Sequence, residues 1–296
     1  MKAGKMVDTI RFVVPERLVP SWLRAELDSP LATPHALGET LTQRRVSVTV
    51  GNLNLRRNAL GEYVGENSLH RFGQGHNGGT FTRADVAAAI QNLSDTLGFN
   101  VSCCKLTKVA FGSNLNGLDV QATLQALADY KGKRFLKYEK GKSITGAKRL
   151  LTELEIKLYD KQRELAEKRQ ALLPSATLRF ELTSRKLSYL RRLGATTVAD
   201  LASPEFFIAA GAELEDRLGA CGFTEQLNGE LLSADEIEAL ALVSSPLFAA
   251  YAANRANKDR ATRRRKLAAQ AREKALLSNH KHVLLARLKA ALSELA

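Results

Sequence analysis

Two short segments carry the residues best suited to chemistry. They are Ile156-Lys157-Leu158-Tyr159-Asp160-Lys161-Gln162-Arg163-Glu164-Leu165 and Leu178-Arg179-Phe180-Glu181-Leu182. Ile156 and Leu158 alternate with Lys157 and Tyr159, the period of a half-buried strand. Leu178, Phe180 and Leu182 alternate with Arg179 and Glu181 in the same way. With the two strands side by side, one face is apolar. The other presents Tyr159, Lys157, Lys161, Arg179 and Glu181. A phenol, several cations and a carboxylate on one surface suit an attack on phosphate. The hydroxyl is the nucleophile, the cations hold the phosphate and the carboxylate can hold a metal. Cations beside Tyr159 are also what would lower its pKa from the ordinary value near ~10. Each residue has a plainer reading. A sheet tyrosine commonly packs its ring and hydrogen-bonds its hydroxyl. Glu181 can simply pair with Arg179 or Lys157 across the sheet.

The elements that must position these residues follow from periodicity. Residues 8–14 alternate as a strand, and 15–40 read as proline-rich loop with a short helix near Trp22 to Leu27. Val46 to Val50 is β-branched and alternating. Leu53 to Arg57 extends past Gly51, and Tyr63 to Phe72 returns as a hairpin. Gly73 to Gly79 is a glycine-rich loop with no phosphate-cradle spacing. Thr82 caps a helix with Asp85 at the capping-box position, and Val86, Ala89, Ile90, Leu93 and Leu97 form its apolar stripe. Leu106 to Asn114 is a strand, Val120 to Ala128 a helix, Phe135 to Tyr138 a strand and Lys142 to Gly146 a turn. Asp160 to Gln170 is a polar connection of helical propensity. This order predicts an α+β fold with an antiparallel sheet over 1–190, and an all-helical region over 191–296.

Further motifs fall in register with the first pair. Ser68-Leu69-His70-Arg71-Phe72, Gly75-His76-Asn77, Phe81-Thr82 with the run Ala84 to Leu97, and Lys108-Val109-Ala110-Phe111-Gly112-Ser113-Asn114 precede it in order. Together they resemble the rolling-circle replication initiators of filamentous phages and small plasmids, over roughly residues 45 to 190. The resemblance implies a DNA nicking and joining protein. Tyr159 takes the nucleophile's position, becomes linked to a 5′ phosphate and frees a 3′ hydroxyl for a polymerase. Lys161 takes the place of the lysine beside it, and Glu181 that of an acidic strand residue holding Mg or Mn. Lys157 and Arg179 would face the DNA. The partners so implied are origin DNA, single-stranded or supercoiled, with a host helicase and polymerase. One position departs. Ala110 stands where the family has Asp or Glu, which removes a candidate metal ligand. The alternative is therefore a DNA-binding protein that keeps the fold without cleaving.

Composition narrows the classes further. The 296 residues carry a formal charge of +13 and 45% hydrophobic residues, enough for a real core and favouring a polyanionic partner. Gly141-Lys142-Ser143 lacks the preceding glycine of a nucleotide-binding loop, since Leu136 stands there, so an NTPase is set aside. The three cysteines include no C-x-x-C pair, which argues against zinc and for a reducing compartment. No His-hydrophobic-His motif occurs, and His70 and His76 read as packing residues. No apolar run is long enough to span a membrane and Ile10 to Val14 is too short for a signal core, so the expectation is a cytoplasmic protein.

Ala249 to Leu295 has no Pro or Gly and reads as one long helix or two shorter ones. It sets twelve Lys and Arg against Asp259, Glu273 and Glu294. Such a helix can track a phosphate backbone by releasing counterions. Arg263, Arg264, Arg265 and Lys266 are its densest cluster. Their joint replacement by Ala is expected to weaken DNA binding and reduce the log–log salt slope by up to about 4. A filter-binding titration with an unchanged slope would show that the cluster does not touch phosphate.

Overall fold

In a computed structural model, the structure describes residues 7–28, 47–168, 173–224, 226–227, 229–278 and 280–294. Val46, residues 29–40 of the proline-rich loop and the last two residues of the 160–170 connection lie outside these. Strand β1 (Val7–Val14) leads to helix α1 (Ser21–Asp28), then β2 (Ser47–Val50), β3 (Leu53–Arg57) and β4 (Tyr63–Ser68). Helices α2 (Leu69–Gln74) and α3 (Arg83–Leu97) follow, then β5 (Lys105–Asn116), α4 (Val120–Ala126), β6 (Leu127–Tyr130) and β7 (Lys133–Arg134). Next come β8 (Leu136–Lys140), β9 (Ser143–Leu150), β10 (Leu154–Asp160), α5 (Lys161–Glu167) and β11 (Thr177–Ser184). A nine-stranded sheet runs in the order β2-β3-β4-β1-β5-β11-β10-β9-β8. Every neighbouring pair in it is antiparallel.

The expected pair of strands lies at the heart of this sheet. Lys157 stands opposite Glu181 and Tyr159 opposite Arg179, while Leu158 faces Phe180 and Ile156 faces Leu182. The apolar set is fully buried. Phe111, opposite Leu182 on β5, meets Phe206 edge-on at 6.1 Å, so this face is covered by helix. Helix α3 begins as its sequence requires. The Thr82 side chain accepts from the Asp85 backbone, and Asp85 accepts in return from the Thr82 backbone at 2.7 Å. Val86, Ala89, Ile90, Leu93 and Leu97 are all buried.

Two local expectations are corrected. Leu69 to Phe72 is not the end of a hairpin but the start of α2, because Ser68 caps it by accepting from the Arg71 backbone. Residues 143–146 are not turn. They open β9, whose pairing with β8 overrides their weak strand signal; the turn is confined to Gly141, at φ 62°, and Lys142.

Beyond β11, helices dominate: α6 (Leu187–Arg192), α7 (Pro204–Gly219), α8 (Ala234–Ser244), α9 (Phe248–Ala253), α10 (Lys258–Ala275) and α11 (His280–Ser293). Three short strands interrupt them: β12 (Cys221–Phe223) beside β6, and the pair β13 (Gln226–Leu227) and β14 (Leu276–Ser278). The long terminal helix is thus broken at β14. The chain forms two compact units, Met1–Gly222 with Leu284–Ala296, and Phe223–Val283. The division falls later than residue 190 because α6 and α7 belong to the sheet's core, where Tyr189, Leu190, Phe206 and Leu214 are buried.

Gly112 is fixed by a close approach. A Cβ there would lie 2.2 Å from the Phe180 carbonyl oxygen and 2.8 Å from Glu181 Cα. Gly112→Ala is expected to destabilise the chain by about 3 kcal/mol, at the upper end for overpacking, because rigid backbone must move. Gly219→Ala, where a Cβ meets nothing, is expected to be neutral or stabilising by up to ~1 kcal/mol. Urea midpoints of both variants check the contrast.

Candidate active site

The polar face of the sheet gathers its side chains around one buried arginine. Arg179 has no exposed surface. Its Nε donates to Glu181 Oε2 at 3.2 Å, its Nη1 to Asn114 Oδ1 at 3.0 Å and its Nη2 to Asp8 Oδ2 at 3.4 Å. Asp8 reaches this face through an irregularity in β1. Val7 pairs with Phe111 and Ile10 with Val109, so β1 spends one residue more than β5 over this span. An extra residue of this kind turns a side chain to the other face. The Ser68 hydroxyl donates to Asp8 Oδ1.

Tyr159 is half-buried beside this cluster and lines a cleft of about 560 Å³ with Asp8, Ser68, Arg71, Asn77, Lys157, Arg163, Glu164, Lys168 and Glu181. Its hydroxyl donates to Glu181 Oε2 at 3.2 Å. Burial, then the Glu181 carboxylate, push the phenol well above its ordinary pKa, and Arg179 only partly opposes them. The expectation that neighbouring cations lower this pKa is therefore corrected. Desolvation of a phenolate outweighs one guanidinium whose charge is shared among carboxylates. Gly146 makes the room. It stands opposite Tyr159, and a Cβ there would lie 2.8 Å from Tyr159 Cβ.

Lys161 reaches the site by another route than expected. The strand ends at Asp160, whose side chain caps α5 by accepting from the Arg163 backbone at 3.0 Å. Lys161 is the first residue of that helix. Its side chain is fully buried, with Nζ donating to Asn77 Oδ1 at 3.0 Å and to Glu164 Oε2. The ammonium lies 5.9 Å from the centroid of the Tyr159 ring. Desolvation, then the Arg179 charge, lower its pKa, with Glu164 opposing. Asn114 Nδ2 donates to the Gly78 carbonyl at 2.9 Å, so the glycine-rich loop is fastened over this side of the sheet.

Lys157 lies near Glu155 at 3.1 Å and Glu181 at 3.7 Å. Desolvation works against its charge, yet Glu181 and Glu155 hold its pKa above the ordinary value. Its side chain is 31% exposed and can meet an anion in the cleft. Arg179 cannot, because it is enclosed. Its expected contact with DNA gives way to a role inside the fold.

Glu181 was the expected metal ligand. Both its oxygens have donors, Oε2 from Tyr159 and Arg179 and Oε1 from Thr183 at 3.5 Å, and the Lys157 ammonium pairs with Oε1 at 3.7 Å. The second carboxylate, Asp8, is bridged to Glu181 by Arg179. Ala110 stands opposite Thr183 on this same face and adds no ligand. Among the described residues no three His, Cys, Asp or Glu side chains are grouped to hold a metal ion. Hard divalent cations need several converging oxygens, so this donor set does not fit Mg or Mn. His70 is buried and packs, whereas His76 is exposed. The rings lie 5.9 Å apart, and His70 stacks on Phe81 at 4.5 Å.

The basic cluster lies in the second unit. Arg263, Arg265 and Lys266 are exposed on α10, whose Ala261, Ala268 and Ala271 are buried. Arg264 Nη2 donates to Glu238 Oε1 at 3.0 Å, and Arg265 lies 5.3 Å over the Phe248 ring. No helix among the described residues is long and apolar enough to cross a membrane.

Sequence reasoning missed Asp8, Asn77, Asn114 and Glu164 as site residues. Asp8 left one trace, the consecutive polar pair Asp8-Thr9 inside an otherwise alternating strand. Neither a protein-family model nor a curated protein matches the chain. Among solved structures, a rolling circle replication initiator protein from Geobacillus stearothermophilus aligns with 97% of this chain and 97% of its own, at a TM-score of 0.42 and 9% sequence identity.

The raised Tyr159 pKa has a pH consequence. Below about 10, the unfolded reference value, the phenol is neutral in both states and the shift costs no stability. Above it the unfolded chain ionises first, so stability falls as pH rises toward the higher folded value. Tyr159→Phe is expected to lessen that decline and to leave stability near neutral pH little changed. Urea midpoints measured from neutral pH into the alkaline range test this; an identical alkaline slope in the variant would contradict it.

Proposed function

We propose that this chain is a replication-initiator-like protein that cleaves and rejoins a DNA strand with Tyr159. The single observation that carries the reading is the Tyr159 hydroxyl donating to Glu181 Oε2 at 3.2 Å in an open cleft, with the Lys161 ammonium beside its ring. A phenol of raised pKa is a poor nucleophile alone and needs a base at its proton. Glu181 is that base. A phosphodiester would enter against Lys157, Arg163, Lys168 and Arg71, which line the cleft. The Tyr159 oxygen bonds to phosphorus while its proton passes to Glu181. The bond from phosphorus to the 3′ oxygen breaks, and that oxygen takes a proton from water to become a free 3′ hydroxyl. The phosphodiester is conserved as a phosphotyrosine, so reversal by a 3′ hydroxyl rejoins the strand. The +13 charge and the exposed cations of α10 support a DNA partner.

A second reading is binding without cleavage. The observation favouring it is that burial and Glu181 hold the Tyr159 proton in place. A nicking assay on supercoiled DNA of the cognate replicon separates the two, with denaturing gels to detect a covalent protein–DNA adduct. Under the first reading Tyr159→Phe abolishes nicking and adduct while DNA affinity and folding survive. Glu181→Gln is expected to reduce the rate by roughly 10²–10⁴-fold, the usual loss on removing a general base. Absence of any adduct from the unmodified chain, with DNA binding retained, selects the second.

A further inference from the structure

We propose that Arg179 is the resident cation beneath the cleft, occupying the position between Asp8 and Glu181 that a divalent metal ion would otherwise take. The inference deepens the reading of Tyr159 and Glu181 as a reacting pair and rests on it for its functional meaning. Its structural content stands apart. Two carboxylates brought onto one buried sheet face require a counter-charge, because an uncompensated buried ion is strongly unfavourable. A metal ion or a guanidinium can supply it. Here the guanidinium does, with Nε on Glu181, Nη2 on Asp8 and Nη1 on Asn114. Its side chain is completely enclosed and those of Asp8 and Glu181 are 7% and 9% exposed.

The remaining carboxylate oxygens are also occupied. Ser68 donates to Asp8 Oδ1, while Thr183 and Lys157 flank Glu181 Oε1. A dication between Asp8 and Glu181 would displace the guanidinium and meet its charge at close range. Two carboxylates alone also fall short of the six or more oxygens such ions take. Ala110, opposite Thr183 on this face, adds no oxygen to them. Arg179 is thus a positioning residue. It holds Glu181 where that carboxylate accepts the Tyr159 hydrogen bond, a task a metal would perform by ligation.

Mn²⁺ titration of the full chain without DNA, followed by electron paramagnetic resonance, tests this. The unmodified chain is expected to show no Mn²⁺ site that Glu181→Gln removes. A saturable site lost in Glu181→Gln overturns the proposal. Arg179→Ala frees both carboxylates, and its Mn²⁺ affinity is expected to rise at least tenfold and to fall back when Glu181→Gln is added. A folded Arg179→Ala chain with no gain overturns the proposal too. If circular dichroism shows that this variant does not fold, the comparison of the unmodified chain with Glu181→Gln decides alone. The nicking assay adds a separate arm, in which any adduct is expected to persist in excess chelator. Failure to form an adduct under any condition would end the proposed function and leave the Mn²⁺ result standing.

Discussion

A buried guanidinium in the centre of an antiparallel sheet sets the terms for everything around it. Arg179 sits on β11, takes Asn114 from β5 and Asp8 from β1, and thereby ties three consecutive strands on their polar face. Removing one partner from such a cluster leaves an unpaired buried charge, which costs about 3–5 kcal/mol in comparable cases. The cluster therefore constrains neighbours that do not touch it. It fixes the irregularity in β1 that turns Asp8 inward. It also orients Glu181, and through Glu181 the hydroxyl of Tyr159.

The site has two layers as a result. The inner layer, Arg179 with Asp8, Asn114 and Glu181, is buried and sets one guanidinium between two carboxylates. The outer layer is Lys157, Arg163, Lys168 and Arg71 around an open cleft. Tyr159 spans the two, its ring near the Lys161 ammonium and its hydroxyl on the inner carboxylate. In the proposed reaction, anion recognition would fall to the outer layer, where charges keep some contact with solvent, and proton transfer to the Tyr159–Glu181 hydrogen bond at its inner edge, which a low local dielectric strengthens.

Much of this was legible from alternation alone. The pairing of β10 with β11 follows from the period of Ile156, Leu158, Leu178, Phe180 and Leu182, and α3 follows from Thr82, Asp85 and a helical stripe. The misses have physical causes. β9 carries a glycine at position 146 that reads as a turn, but the residue is there to admit Tyr159. Lys161 was grouped with the sheet's polar face by continuing period 2, although it lies in the segment read as a helical connection; it is in fact the first residue of α5, capped by Asp160. The phenol's pKa depends on burial, which no local pattern encodes. The boundary near 190 followed a change of periodicity. The true division follows packing, and α6 and α7 pack with the sheet.

The separation of Asp8 from Arg179 along the chain, 171 positions, bears on how the protein is made. Synthesis proceeds from the N-terminus, at about 5–20 residues per second. β1 therefore emerges many seconds before the strand that neutralises its carboxylate. Through that interval Asp8 is best left in water, and β1 cannot settle into its central place between β4 and β5 with its polar face closed. The centre of the sheet is then among the last parts to consolidate, although β1 is made long before β11. Pairings of such long range are slow to form.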